Sequence, residues 1–145
     1  MTRNHLRPLP AAAAVVTALT LCSTAAAVNP YVHVVLRPSG GSGVSGSALV
    51  AAKNDGTRVT VTLYRLAPKA AVRATLHAGS CAKPSASFAA IVSTKATAAG
   101  GASAAGRVLF HGEPVSFIGI ADGEHTITVI AGSRVVACGA VPAMR

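Results

Sequence analysis

Histidines are the residues of this chain best suited to chemistry, because a neutral imidazole is the commonest protein ligand for a transition metal. Four of the five lie beyond the N-terminal segment: His33, His77, His111 and His125. No two of them have the i, i+4 or His-x-His spacing that presents two rings together. His77 therefore needs a partner from another strand, and His125 is a candidate. Three interpretations stay open: a metal or haem site that includes His77 and His125, surface histidines without a function, and a structural hydrogen-bonding role for His77.

Other catalytic patterns are missing from the sequence, which has neither a Gly-x-Ser-x-Gly elbow nor a P-loop. Asp122 and Glu124 are the two acids that stand close together. We interpret them as turn residues rather than as an acid–base pair. Motifs alone therefore do not predict an enzyme.

The N-terminal segment, residues 1–27, has the three parts of a secretory signal peptide. A charged start is followed by an apolar run over residues 11–21 and then by small residues that end in Ala25 and Ala27. The last two fit the Ala-x-Ala rule, so we predict cleavage after Ala27 and a single mature domain over residues 28–145. We expect the protein to be secreted, either periplasmic or extracellular.

A membrane anchor is the first alternative for this segment, but its apolar run is shorter than the roughly 20 residues that cross a bilayer. We therefore do not expect an integral membrane protein. Lipid attachment at Cys22 is the second alternative, although Leu21 stands where such attachment requires a small residue.

Cleavage would leave Cys81 and Cys138, an even number of cysteines in an oxidising compartment. We predict a disulfide between them, which would stabilise the fold by about 4 kcal/mol on the loop-closure estimate. Two buried free thiols are the alternative. Two cysteines so far apart, with no Cys-x-x-Cys motif, do not form a zinc site.

The mature chain is strongly basic. Beyond residue 27, 11 Lys and Arg residues oppose four acids, which gives a formal charge of +7. Such a surface attracts polyanions. The cations are scattered singly, however, and two Tyr and three Phe offer few stacking platforms for bases. We expect solubility and a weak general affinity for polyanions, not specific nucleic-acid binding.

Strands rather than helices must position these residues. Val59, Val61 and Leu63 alternate with polar residues, which is typical of a half-buried strand, and similar runs recur between Gly and Pro turns. We predict strands at residues 31–37, 44–52, 58–64, 72–77, 88–92, 108–110, 126–131 and 134–141. About eight short strands in one domain predict an all-β Greek-key barrel or sandwich.

Two regions carry more specific expectations. Residues 94–106 are rich in Ala, Gly, Ser and Thr without an apolar stripe, so we predict a mobile loop there. Four threonines on strand faces are expected to face solvent or a second subunit: Thr60, Thr62, Thr126 and Thr128.

Three segments of the mature chain carry a family likeness. Residues 35–46 place a glycine-rich turn before Val-Ser-Gly, residues 59–81 end in the His77 strand and Cys81, and residues 132–139 read Gly-Ser-Arg-Val-Val-Ala-Cys-Gly. In this order they resemble the copper-zinc superoxide dismutase-like β-barrel superfamily and the related CHRD-type domains. The resemblance implies that barrel, and it independently implies a Cys81–Cys138 disulfide.

The resemblance also implies copper and zinc ligands, most of which this sequence lacks. Thr75 stands at the first place of the family's His-x-His pair, and only His77 remains at the second. Ile130 stands at the expected place of a later copper ligand, and residues 79–88 hold no histidine for zinc. Copper needs about three or four ligands. We expect no cofactor, with copper or zinc as the alternative.

Together these features predict an exported, non-catalytic dismutase-like or CHRD-like β-barrel that serves as an envelope or extracellular binding or structural module. The alternative is a superoxide dismutase-related metal-binding enzyme with a degenerate or unorthodox site around His77. The sequence thus leaves catalysis undecided, and it identifies no partner or oligomeric state.

Overall fold

A computed structural model describes residues 28–54 and 56–145. The predicted signal peptide, its cleavage site after Ala27 and Cys22 lie outside the described residues. So does Asp55.

Ten β-strands make up the regular structure of the described chain. They are β1 (Tyr31–Pro38), β2 (Ser45–Lys53), β3 (Gly56–Tyr64), β4 (Ala71–Ser80), β5 (Lys83–Lys95), β6 (Ala102–Arg107), β7 (Leu109–Phe110), β8 (Glu113–Pro114), β9 (His125–Ala131) and β10 (Arg134–Ala140). No helix long and apolar enough to cross a membrane occurs among the residues described.

Eight of these strands form one antiparallel sheet in the order β5-β4-β9-β10-β1-β2-β3-β6, and β7 pairs with β8. The neighbours β4 and β9, and likewise β1 and β10, are far apart in sequence, as in a Greek key. The sheet curls so that its edge strands approach each other. Gly106 of β6 lies against the carbonyl of Ile91 in β5, where a side-chain carbon would clash. The result is a curled half-barrel, which agrees with the predicted all-β architecture.

The interior is filled by aliphatic side chains from alternate strand positions. Val59, Val61 and Leu63 are buried, as the alternation predicts, and Leu76 and Ile127 are fully buried. Full burial of each such side chain contributes roughly 1.5–3 kcal/mol. This alternation puts the residues between them on the outer face of the sheet.

The prediction of a mobile loop over residues 94–106 is wrong. β5 continues to Lys95 and β6 begins at Ala102, so only residues 96–101 lie between strands. β6 pairs with β3 along its whole length, from Ala102 opposite Leu63 to Arg107 opposite Arg58. Pairing with a distant strand therefore decides the conformation of this segment, whose small side chains give no strand pattern of their own.

The predicted strand at residues 108–110 is also only partly correct. Val108 lies between β6 and β7, fully buried, and its amide donates a hydrogen bond to the Thr57 carbonyl. β5 in turn is longer than predicted, since it begins at Lys83. That extension is important because the β4–β5 hairpin covers the candidate site.

Candidate functional site

The candidate site lies on the outer face of β4 and β9, which are neighbours in the sheet. Thr75 pairs with Thr128, and His77 pairs with Thr126. Directly paired residues of antiparallel strands point to the same face. The residues between them in each strand point into the core, so these four polar side chains meet on the opposite face.

The hairpin between β4 and β5 covers this outer face. Its tip contains Cys81, which forms a disulfide with Cys138 of β10, with a Cα–Cα distance of 5.8 Å. Because β9 lies between β4 and β10, the tip must cross β9 to reach Cys138. Cys138 pairs with Thr128, so the disulfide stands beside the four polar residues. The predicted disulfide is therefore present, and it fastens the hairpin over them.

The expectation that Thr126 and Thr128 face solvent or a second subunit is wrong. Their exposed fractions are 0% and 1%, and those of Thr75 and His77 are 6% and 9%. The physical reason is the covering hairpin, which bends through three register shifts in the β4–β5 pairing. We call Thr75, His77, Thr126 and Thr128 the covered cluster.

His77 forms hydrogen bonds through both ring nitrogens. Its Nδ1 lies 2.8 Å from the backbone oxygen of Ser85, and because a carbonyl only accepts, Nδ1 is the donor. In the neutral ring Nε2 then accepts. It lies 2.9 Å from Oγ1 of Thr75 and 2.9 Å from Oγ1 of Thr128, and those hydroxyls are 2.8 Å apart. The lone pair of Nε2 is thus directed at threonine hydroxyls.

Thr126 is the exception within the covered cluster. Its Oγ1 is buried and has no hydrogen-bond partner among the described residues. A buried hydroxyl without a partner costs about 1–3 kcal/mol in desolvation. The covered cluster therefore has satisfied hydrogen bonds around the imidazole of His77 and one unsatisfied hydroxyl at Thr126.

His125 does not join His77. It pairs with Ala78 and so points to the other face of the sheet. There its ring packs 5.8 Å from the ring of Phe88, and its Nδ1 lies 2.9 Å from Oδ1 of Asp122. The histidine pair that the sequence offers as a possible metal site is therefore separated by the sheet.

Asp122 organises the turn before β9, as predicted. Its Oδ1 accepts a hydrogen bond from the Glu124 amide at 2.8 Å in addition to the contact with His125. Burial acts to raise the pKa of Asp122, but the hydrogen bonds from His125 and Glu124 outweigh it. The pKa of this carboxyl therefore lies below its usual value.

The other predicted positions are spread over the molecule. Ile130, which the resemblance marks as the place of a copper ligand, lies opposite Arg73 and not beside His77. His33 on β1 and His111 in the β7–β8 turn are exposed. The exposure of these two residues agrees with their interpretation as surface histidines.

The donor set around His77 does not fit a copper or zinc centre. It consists of one imidazole and threonine hydroxyls, whereas these metals prefer several imidazole or thiolate ligands. In residues 28–54 and 56–145 there is no group of three or more His, Cys, Asp or Glu residues that could hold a metal ion. We therefore derive no reaction step through a metal.

Comparison with known proteins gives one informative match. No family model matches the chain, and no curated protein matches it. A crystal structure of a mutant of the SOD-like protein from Bacillus subtilis matches with a TM-score of 0.58 and 15% identity, covering 78% of this chain and 99% of that chain. The fold is SOD-like. At this identity the likeness shows the fold alone.

Sequence reasoning singled out His77, but it missed the threonine partners on β9. A signal for them exists in the sequence. Thr75-Leu76-His77 and Thr126-Ile127-Thr128 both put two polar residues around an aliphatic one. Two such triplets on neighbouring strands place four polar side chains on one face.

Proposed function

We propose that the protein is an exported, non-catalytic module of SOD-like fold that acts as a binding or structural protein of the cell envelope or extracellular space. One observation carries the proposal: the imidazole of His77 is committed at both nitrogens to Ser85, Thr75 and Thr128. A copper ligand needs a free nitrogen lone pair and further imidazoles beside it. The covered cluster supplies hydrogen bonds instead.

Export is the second part of the proposal. It is supported by the signal-peptide pattern of residues 1–27 and by the Cys81–Cys138 disulfide, a bond that persists in oxidising compartments. The net positive charge of the mature chain suits attachment to anionic surroundings.

The test uses protein recovered from the exported fraction. Mass spectrometry should give the mass of a chain whose first residue is Val28. The protein is loaded with copper and zinc, dialysed and analysed for metal and for superoxide consumption. We expect less than one copper per chain and no superoxide consumption above that of the buffer. His77→Ala should leave this baseline unchanged, as should the exposed-histidine control His33→Ala.

Stoichiometric copper, with superoxide turnover that His77→Ala abolishes and His33→Ala retains, would overturn the proposal. It would establish a dismutase-related enzyme with an unorthodox site. Recovery only from the cytoplasm, with residues 1–27 still attached, would refute the export part.

A further inference from the structure

A groove lies on the outer face of the sheet, on the same strands as the covered cluster but toward the other end of β4. Its volume is about 480 Å³, within the range of roughly 300–1,000 Å³ for small-molecule sites. Arg73 of β4, Lys95 of β5 and Ile130 of β9 line it. The disulfide-bonded tip at Cys81 covers the far end of β4, so the groove remains open to solvent.

Two cations converge on the groove without a counter-ion. Arg73 pairs with Ser93, and Ala71 pairs with Lys95, so Arg73 and Lys95 are diagonal neighbours on one face. Neither the guanidinium nor the ammonium group has a salt bridge or hydrogen bond with any residue of the described chain. No acidic residue lines the groove. An anion would therefore meet two uncompensated positive charges there.

The acidic turn lies at the opposite end of these strands. Asp122 and Glu124 precede His125, which pairs with Ala78 near the end of β4, whereas Arg73 lies near its start. The acidic turn and the cationic groove therefore lie at opposite ends of β4 and β9.

Besides the two cations, the groove is lined by the hydroxyl residues Ser93 and Thr94, by Gly132 and by aliphatic side chains. Ile130 lies opposite Arg73 with its side chain partly exposed, and Ala71 adds a methyl group. No aromatic residue lines the groove, so it has no platform for stacking a base or another ring. Its lining suits a flexible alkyl body attached to an anionic head.

We propose that this groove binds a free organic anion with an aliphatic chain, of the fatty-acid carboxylate class. The planar guanidinium of Arg73 matches the two oxygens of a carboxylate, and Lys95 adds a point charge. Ile130 packs against the chain. This assignment goes beyond the proposed function, since it gives a ligand class to a place distinct from His77.

The test titrates the purified protein with decanoate below its micelle concentration, by calorimetry and by NMR shifts of the groove residues. We expect saturable one-to-one binding, and decanol, which has the same chain without the charge, should bind about tenfold more weakly or worse. The double variant Arg73→Ala with Lys95→Ala should lose about tenfold or more in decanoate affinity.

The matched control is Lys53→Ala with Arg58→Ala, which removes the same charge from exposed positions of the β2–β3 hairpin. It should bind decanoate as the unchanged protein does. Equal losses in the two double variants would show general charge attraction and overturn the proposal. The four side chains replaced in the two double variants are all exposed, so each variant is expected to fold. Thermal unfolding of each variant checks this.

Two further outcomes also overturn it: decanol binding as tightly as decanoate, or binding to anionic phospholipid vesicles without binding to free decanoate. The second would identify a membrane surface as the partner. These results are separable from the proposed function, because the copper and superoxide measurements decide that question at His77 regardless of what the groove binds.

Discussion

The outer face of β4 and β9 has two halves that differ although the same strands build them. In the covered half, Thr75, His77, Thr126 and Thr128 are at most 9% exposed. In the open half, Arg73 and its neighbours line a groove that is open to solvent. The difference arises from the β4–β5 hairpin, whose disulfide to Cys138 covers one half and not the other.

The contrast shows that burial under the hairpin, more than residue type, decides whether the polar groups of a sheet face are available to a ligand. Both halves carry polar groups that point away from the core. Under the hairpin, every polar side chain of the covered cluster except Thr126 forms hydrogen bonds within the protein, since a buried group without a partner is costly. In the open half, charges are hydrated and remain available to a ligand. This difference supports the structural role that we propose for the covered half and the ligand-binding role that we propose for the open half.

The largest expected effect comes from removing the disulfide that fastens the β4–β5 hairpin over the covered half. Replacing both Cys81 and Cys138 by Ser should lower the free energy of unfolding by about 4 kcal/mol, because the closed loop no longer restricts the unfolded chain. Urea denaturation measures the loss. Amide exchange should also become faster for Gly79 and Lys83, in the hairpin. An unchanged urea midpoint and unchanged exchange would show that the hairpin covers the cluster without its disulfide.

A matched pair of threonines tests the hydrogen bonds inside the covered half. Thr128→Val removes a partner of both His77 and Thr75 and should cost about 1 kcal/mol. Thr126→Val removes a hydroxyl that has no partner, so it should be neutral or stabilise by up to about 1 kcal/mol. Both changes keep the shape of the side chain on the same strand.

Chemical denaturation of the two valine variants gives the comparison. If Thr126→Val costs as much as Thr128→Val, then Thr126 has a hydrogen-bond partner in solution and the two positions are equivalent. The prediction that only Thr128→Val destabilises the fold would then be wrong.

Sequence reasoning predicted most of the strands and the disulfide because the residues themselves carry a signal. The alternation of Val59, Val61 and Leu63 is a pattern along the chain, and Cys81 and Cys138 are an even pair. The SOD-like fold likewise agrees with the resemblance. These features need no knowledge of how distant strands meet.

The errors share one physical cause, since each depends on contacts between distant parts of the chain. β6 is a strand because β3 and β5 lie beside it, and Thr128 is buried because the hairpin crosses β9. The groove at Arg73 and Lys95 was missed for the same reason. Their proximity follows from the register of β4 and β5 rather than from any spacing in the sequence.

The smallest expected effect concerns the acidic turn beside the covered half. Asp122→Asn keeps an oxygen that accepts from the Glu124 amide but removes the charge next to His125. Because the folded pKa of Asp122 is below its unfolded value, its charge stabilises the fold at neutral pH. That contribution is lost as the pH falls through the folded pKa. Since the carboxylate is 38% exposed, solvent screening limits the effect to about 0.5 kcal/mol or less.

Thermal unfolding of the two proteins between pH 7 and pH 2 measures this contribution. The unchanged protein should be slightly more stable at pH 7, and the difference should disappear below the folded pKa, where Asp122 is protonated. Glu113→Gln, which removes another exposed negative charge from β8, is the control for the effect of net charge alone. A difference that grows toward low pH would mean that the carboxyl stabilises the fold in its protonated form.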